Sequence, residues 1–440
     1  MKKLVFLAGL IFISYCAFAE ELTLTKSIDV AMDKSPAIIY ARQGVVAADG
    51  KLGQAFGAVL PALSLSAKYG SSYTEPYEMM GALTVGTEET STLTSYSLTL
   101  TQPIYVGALL PALDIAQAGY SIAKESLKKS EFDLRYNVVN SYYGVLRTKK
   151  LHELSNESLD MARSHLNQVK AMYSAGTATK ADVLRVEVQI ANMELSLTKT
   201  ENASALAKDA FNNVLGRSLE EPVELSEKEI AQEIVKPKPY KECLDMVFDI
   251  KPDWLIFQLN KKISKKSVDI ASSGYFPSFS LVGTYGNNKN EYVKNDILNT
   301  NYNSWSLLAN GSWMLFDGFS TPSKIKEAGA NLAAIEANED ITRNGIILEV
   351  KDACLNLKSA IDSIDSVKKA VESADENYRI SKEKYKSGIG SNLEMIDAQT
   401  ALKEAKTNLY QAQFDYQIAK AKVNQAVGKE IYLFSASADK

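Results

Sequence analysis

The stretch Tyr385-Lys-Ser-Gly388-Ile-Gly-Ser-Asn392-Leu-Glu394-Met-Ile-Asp397-Ala398 decides how this chain is read. It places a glycine-containing turn between two long runs of apolar residues at helical spacing. Two carboxylates, Glu394 and Asp397, stand three residues apart and therefore share one face of the second run. A looser copy, Tyr173-Ser-Ala-Gly176-Thr-Ala-Thr-Lys-Ala-Asp182, stands 212 residues earlier.

The runs on either side of these turns are unusually long. Pro111 and Thr321-Pro322 sit where a first helical turn begins, and no proline follows before Gly176 or Gly388. A helix from Pro111 to Ala175 would extend about 100 Å at 1.5 Å per residue, far beyond an ordinary globular helix. The apolar stripe of the second copy runs Ile346, Val350, Ala353, Leu357, Ala360, Ile364, Val367, Val371, Ala374, Tyr378, Ser381, Tyr385. It returns as Met395, Ala398, Leu402, Ala405, Leu409, Ala412, Tyr416, Ala419, Val423, Ala426. Alternating steps of three and four give a mean period of about 3.5, the signature of left-handed coiled-coil packing. The first copy keeps the frame with Val183, Val186, Ile190, Met193, Leu197, Ala207, Phe211 and Val214.

The repetition extends beyond the turns. Asp29, Asp33, Pro36, Pro61, Ser64, Leu65 and Tyr69 recur as Asp245, Asp249, Pro252, Pro277, Ser280, Leu281 and Tyr285. The spacing shifts slightly for Gly107/Gly318 and Pro111/Pro322, then settles for Gly216/Gly428. The reading is a tandem duplication. It predicts a first repeat over 20–217, a connector over 218–240, a second repeat over 241–428 and a tail over 429–440.

Each repeat opens on a helical pattern (Asp33 to Ala58, Asp249 to Gly274) that stops before a proline, and the period then falls to two. Leu63, Leu65, Ala67 and Tyr69 alternate with Ser64, Ser66 and Lys68; Tyr96, Leu98 and Leu100 oppose Ser97, Thr99 and Thr101. Phe279, Leu281 and Tyr285 behave alike, as do Trp305, Leu307, Ala309 and Trp313. Strand pairs are expected over about 61–105 and 277–316, and long helical hairpins over 108–216 and 319–427. A sheet with one face on a soluble core would show the same alternation. Strand length and the aromatics crowding the strand ends (Tyr69, Tyr96, Tyr105, Tyr275, Trp305, Trp313, Phe316) favour a membrane barrel. Four strands cannot close, and an open edge does not survive in lipid, so the barrel must be shared between chains. Three chains give twelve strands. The loops Glu75 to Thr92 and Asn287 to Asn303 are expected outside the cell.

The start of the chain reads as a secretory signal over 1–19, with Lys2 and Lys3, an apolar run from Leu4 to Ile13 and Ala17-Phe18-Ala19 as the cleavage site. Cys16 belongs to this segment. Without it the charge is 47 basic against 53 acidic residues, about −6, which speaks against nucleic acid as a partner. No later apolar run reaches ~20 residues. Cys243 and Cys354 remain, two isolated cysteines that do not make a disulfide framework. No enzymatic motif stands out. His152 and His165 lie thirteen apart on one helix, no metal set accompanies them, and Gly388-Ile-Gly390 lacks the strand of a phosphate loop.

Signal, duplicated unit, strand pairs, long hairpins and the Tyr-x-x-Gly turn together resemble the TolC-type outer-membrane efflux proteins over essentially the whole chain after the signal. Gln102-Pro-Ile-Tyr-Val-Gly107 and Trp313-Met-Leu-Phe-Asp-Gly318 match at strand ends, and Leu215-Gly216 and Val427-Gly428 match where each hairpin closes. The resemblance implies a mixed membrane α+β fold in the outer membrane of a Gram-negative-type cell. A homotrimer would form a twelve-stranded barrel continuous with a helical periplasmic barrel. An equatorial region would include Leu22 to Ser35, the connector and the C-terminal end.

It further implies a passive exit duct, without cofactor, fed by a periplasmic adaptor and an inner-membrane pump of the RND, ABC or MFS type. The cargo would be small toxic molecules; type I protein secretion is the alternative, and a periplasmic coiled-coil adaptor a remote one. Glu394 and Asp397, with Asp182 as first-copy counterpart, would ring the pore constriction; carboxylates in a helix's first turn also favour its dipole. The turns at Gly176, Gly388, Tyr173 and Tyr385 would meet the adaptor, while the glycines themselves permit the turn backbone. Tyr69, Tyr96, Trp305 and Trp313 would mark the membrane interface. Gly390 and Ser391 stand where some relatives carry basic or bulkier residues that tie the tip shut, and Lys180 near Asp182 is a local substitute.

Overall fold

The long apolar stripes do form helices of the expected length. In the computed structural model, described over residues 21–79, 81, 83–85, 88–227 and 234–432, α3 (Leu109–Ser174) and α7 (Ser320–Lys386) hold 66 and 67 residues. Each turns back into a 36-residue helix, α4 (Lys180–Leu215) and α8 (Asn392–Val427). The signal, part of the connector and the end of the tail lie outside the described residues. Among the described residues no helix is long and apolar enough to cross a membrane.

The 40 residues before each strand pair depart from expectation. Instead of one helix from Asp33, the chain forms α1 (Leu24–Lys34) and α2 (Pro36–Gly57), and later α5 (Tyr240–Ile250) and α6 (Pro252–Ser272). Proline disfavours helical torsions in the residue before it. Ser35 and Lys251 accordingly sit at φ −62°, ψ 126° and φ −68°, ψ 121°, and the helix restarts on the proline.

The chain divides into two compact units that cut across the sequence halves. One consists of residues 41–127 and 252–345 and holds a four-stranded antiparallel sheet, β1 (Ala62–Thr74), β4 (Glu89–Tyr105), β5 (Ser278–Tyr292) and β6 (Thr300–Ser312), in that order. The β1–β4 loop carries a short hairpin, β2 (Tyr77–Met79) with β3 (Leu83–Val85), and a large part of both expected outer loops is strand. Asn287 Nδ2 donates to Oδ1 of Asn301 and of Asn303 at 2.9 and 3.0 Å, so polar pairs continue the ladder where the apolar alternation stops.

The register of this sheet sorts its faces. Leu65, Leu98, Tyr285 and Trp305 are successive cross-strand partners, as are Leu63, Leu100, Gly283 and Leu307. One residue along, Ser64, Thr99, Thr284 and Ser306 align, and so do Ser66, Ser97, Gly286 and Ser304. Because partners point to the same side and neighbours to opposite sides, one face is apolar and the other is small and polar.

The other unit (residues 1–40, 128–251 and 346–440) holds the core. Tyr142, Tyr143, Phe211 and Phe414 are fully buried or nearly so, with edge-on ring contacts between Tyr142 and both Tyr143 and Phe211. The Tyr142 hydroxyl reaches the carbonyls of Ser226 (2.8 Å) and Leu22 (3.3 Å), at the parallel bridge between Leu22 and Leu225. Farther along the connector, the amides of Val235 and Lys238 donate to the hydroxyls of Tyr416 and Tyr432. The N-terminal segment, connector and C-terminal end are thus held to the same helical unit.

No residue of the α7 stripe from Ile346 to Tyr385, nor of the α8 stripe, is exposed. The 3.5 period was therefore a record of burial.

Candidate functional site

Both hairpin tips are built by the same local chemistry. At the end of α3 the amides of Gly176 and Thr177 donate to the carbonyls of Tyr173 and Met172. At the end of α7 the amides of Gly388 and Ile389 donate to those of Tyr385 and Lys384. These crossed bonds satisfy the last carbonyls of a helix and require a left-handed residue, and both glycines sit at φ +76°. Nothing crowds either glycine within 4 Å, so backbone conformation alone explains them. Gly390 differs: a Cβ there would lie 2.9 Å from the Lys384 Cβ and the Tyr385 amide nitrogen. A side chain at this position would force the second turn to shift, so Gly390 fits the closer packing of this tip.

Each returning helix then starts on a capping box. The Thr179 hydroxyl accepts from the Asp182 amide, while an Asp182 carboxylate oxygen accepts from the Thr179 amide (3.0 Å) and hydroxyl (2.6 Å). Ser391 and Glu394 repeat this at 3.1 and 3.4 Å. The Thr179 bonds hold the Asp182 carboxyl below the usual carboxylate range. Glu394 and Asp397 are exposed on successive turns of the first part of α8.

The two tips are joined through a buried amide that sequence reading did not single out. Asn392 Nδ2 donates to the backbone carbonyl of Asp182 (3.2 Å) and to its Oδ1 (3.3 Å). Its Oδ1 lies 2.7 Å from Nε2 of the buried His165. Since the amide nitrogen is committed to two acceptors, its oxygen faces the histidine, and His165 must donate from Nε2. His165 Nδ1 is buried with no partner, and burial pushes its pKa down. The Tyr385 ring packs edge-on against His165 at 5.0 Å. Around them Val169, Val183, Val186, Tyr385 and Met395 form one apolar cluster drawn from both hairpins. Farther along α8, Gln399 Nε2 donates to the Ser158 carbonyl (3.0 Å) and Lys406 pairs with Glu157 (2.9 Å).

The cross-hairpin partner of Asp182 is therefore Asn392 and not Lys180. Of the two tyrosines expected to face an adaptor, Tyr173 is 46 % exposed and Tyr385 only 5 %. Ile389 and Leu393 take the exposed role at the second tip, at 80 % and 49 %. The signal for them was present in the sequence as two large apolar residues off the heptad stripe. The signal for Asn392 was weaker, because an asparagine at a helix start reads as capping chemistry.

In the sheet-bearing unit, Tyr69, Tyr96 and Trp305 are all more than half exposed, on the apolar face or its margin. Trp313 lies just past β6 and donates through Nε1 to the Tyr275 carbonyl at 3.1 Å. From Tyr96 to Tyr105 the strand rises about 30 Å, or roughly 21–25 Å once tilted by 35–45°, the height of an outward-facing barrel band.

The comparisons with known proteins agree with this geometry. The chain is 23 % identical to the outer membrane protein TolC of Vibrio cholerae, over 97 % of this chain and 96 % of that one. It is 21 % identical to the toluene efflux pump outer membrane protein TtgC of Pseudomonas putida, over 73 % of this chain and 67 % of the relative. The solved structure of the outer membrane protein VceC from Vibrio cholerae superposes with a TM-score of 0.78 over 93 % of this chain and 97 % of that one, at 17 % identity. The model of the outer membrane efflux protein family matches residues 27–217 and 252–429, each stretch carrying one strand pair and one long hairpin. The chain belongs to the outer membrane efflux protein family, with the barrel-and-helical-tunnel fold and the outer-membrane location of its members.

Proposed function

We propose that three copies of this chain form a passive exit duct, and that it passes small toxic molecules delivered by a pump and adaptor. The observation that carries this is the sheet. β1 and β6 are edge strands, exposed along their whole lengths, on a sheet with one apolar and one polar face. Unpaired backbone groups are untenable in lipid, so the edges must meet the edges of other copies. Two copies give eight strands, whose side chains would fill the lumen; three give twelve, with room for a polar channel.

A second support comes from the hairpins. Leu184, Val188, Leu195 and Leu206 on α4, and Leu348 and Leu355 on α7, are exposed large apolar residues off the buried stripe, suited to packing between copies. In this trimer Glu394 and Asp397 line the tip as two rings of three carboxylates, and Asp182 adds a ring already engaged by Thr179 and Asn392. Rings of one sign select cations. Ile389, Leu393 and Tyr173 offer an apolar rim to the adaptor, around the turns made by Gly176 and Gly388. The small-molecule reading draws on the toluene efflux relative; a pump of the RND, ABC or MFS type is the expected source of energy, and the duct itself needs no catalysis.

The test is a deletion strain. Hypersensitivity to solvents and dyes, restored by the intact gene, together with heat-sensitive trimer migration of the envelope protein, is the expected result. A strain of unchanged susceptibility that loses a secreted protein instead would replace the cargo assignment with type I secretion.

A further inference from the structure

β1 and β6 are the edge strands of the sheet, and the duplication supplies a template for how they meet. Repeat for repeat, β1 corresponds to β5: Pro61, Leu65 and Tyr69 match Pro277, Leu281 and Tyr285. β4 corresponds to β6, since Gly107 and Pro111 beyond one match Gly318 and Pro322 beyond the other. The antiparallel seam between β4 and β5 joins the first repeat to the second inside the chain. Its counterpart joins β6 to the β1 of a second copy, a head-to-tail contact of the kind that closes into a ring. Every neighbouring pair in the sheet is antiparallel, so β1 and β6 run in opposite directions and this seam is antiparallel too. In the internal seam Leu98 faces Tyr285, Leu100 faces Gly283, Gln102 faces Leu281 and, after a bulge, Tyr105 faces Phe279. Carried over position by position, these pairs become Ala309 with Tyr69, Gly311 with Ala67, Trp313 with Leu65 and Phe316 with Leu63 of the next copy.

We infer that this is the register in which one copy of the chain docks on the next. The inference rests on the trimeric duct proposed for this chain and specifies which residues meet at its seams. Three features of the strands support it. First, β6 ends at Ser312, and Trp313, Met314, Leu315 and Phe316 follow it outside any strand, each more than half exposed. Their internal counterparts, Gln102 to Tyr105, are strand because β5 pairs with them. Flush edges would leave Trp313 to Phe316 bare, whereas this register sets them against Leu63 to Leu65, themselves exposed. The resulting stagger is also what closing a barrel requires. Second, Leu308 interrupts the small polar face of β6, and the register places it opposite Gly70. A Cβ at Gly70 would meet nothing within 4 Å, so the glycine leaves room for the leucine. A shift of two residues would set Leu308 against Lys68 or Ser72 instead. Third, on the apolar face Trp305 comes opposite Tyr73, an aromatic cross-strand pair, while Tyr69 meets the small Ala309.

The test uses the full chain in cell envelopes, with Cys243 and Cys354 replaced by Ser so that introduced thiols alone react. Ser306→Cys with Ser72→Cys, and Ser304→Cys with Thr74→Cys, are in register on the polar face. Ser304→Cys with Ser72→Cys, and Ser306→Cys with Thr74→Cys, are the same thiols two residues out of register. Directly opposed residues hold their Cβ atoms ~4.5–5.5 Å apart and diagonal ones ~7–8 Å, so the opposed pairs are the ones that suit a disulfide. The internal counterpart, Ser95→Cys with Asn288→Cys, is the positive control, since those two residues are partners within the chain. After mild oxidation and heating in detergent, the in-register pairs should give disulfide-linked dimers and trimers about ten-fold more abundant than the shifted pairs give. Preferential linking of a shifted pair overturns the register. So does the absence of linked oligomers from every pair while the control links and the protein still migrates as a heat-sensitive trimer. Absence of that trimer already in the natural chain would instead overturn the trimeric duct, and the register with it.

Discussion

The two hairpin tips share a backbone and differ in what they display. Both end on a left-handed glycine and restart on a capping box, so turn and cap are the invariant part of the design. The first tip carries Lys180 and Arg185 around Asp182, which leaves it without net negative charge; the second places Asn392 and Asp397 at the same positions around Glu394. The first exposes Tyr173 and small residues, whereas the second buries Tyr385 and exposes Ile389 and Leu393. The contact between them runs through the second tip's Asn392, which reaches into the first. The second tip thus supplies both the exposed carboxylates and the amide that ties the pair together. A duplicated unit has divided its labour.

The sharpest way to break this comparison is at the turn residue where the tips differ in room. Gly390→Val places side-chain atoms where the Lys384 and Tyr385 backbone already sits, at a cost of about 1–3 kcal/mol or more. We expect loss of efflux to the level of a deletion, with new proteolytic nicking at the second tip. Its counterpart Ala178 already carries a Cβ, so Ala178→Gly should leave both measurements nearly unchanged.

Next in size is the amide between the tips. Asn392→Ala strips His165 Nε2 and the Asp182 carbonyl of their partner, and an unmet buried polar group costs about 1–3 kcal/mol. Single-channel recordings should show a more conductive resting state, while Lys180→Ala, with no such bond to Asp182, should not. Equal effects of the two would remove the asymmetry.

Charge gives a third distinction. Glu394→Gln with Asp397→Asn should weaken cation selectivity in planar bilayers several-fold, whereas Asp182→Asn should alter it less and instead cost about 1 kcal/mol of helix capping. A selectivity shift that follows Asp182 would place the constriction at the wrong tip.

The smallest effect is one of pH. Burial lowers the His165 pKa below its unfolded value, so the neutral ring's contribution is complete above about pH 6.5 and falls as the pH drops toward the folded value. The ring faces Asn392, which in turn is held by Asp182, and the Tyr385 phenol ring; protonation would add a donor at Nδ1, where no acceptor waits. Conductance should therefore rise on acidification from pH 7 to 5, and His165→Gln should flatten that dependence.

Much of the fold was legible because its signals are periodic. A 3.5-residue apolar repeat sustained over dozens of residues admits one packing, and the stripe from Ile346 to Tyr385 duly avoids solvent throughout. Strict alternation around Leu63 and Leu98 likewise admitted a two-faced strand, and the register then aligned those faces across four strands. Legibility failed where the periodic signal ended. Polar–polar pairs such as Asn287 with Asn303 read as loop, though the backbone ladder continues through them. The helix break at Ser35 was missed because the apolar pattern runs on across a proline that the backbone cannot ignore.

The sequence by itself determined the lengths of the helices, the two-faced strands, the glycine turns and the capping boxes, since each depends on neighbours within a few residues. Tertiary structure alone decided which side chains meet. Asn392 binds Asp182 across 210 positions, Gln399 reaches the Ser158 carbonyl across 241, and Tyr385 turns inward against His165 while Tyr173 stays in solvent. Such meetings depend on how hairpins pack against one another. Packing is set by the sum of many weak apolar contacts, and no single residue's spacing records that sum.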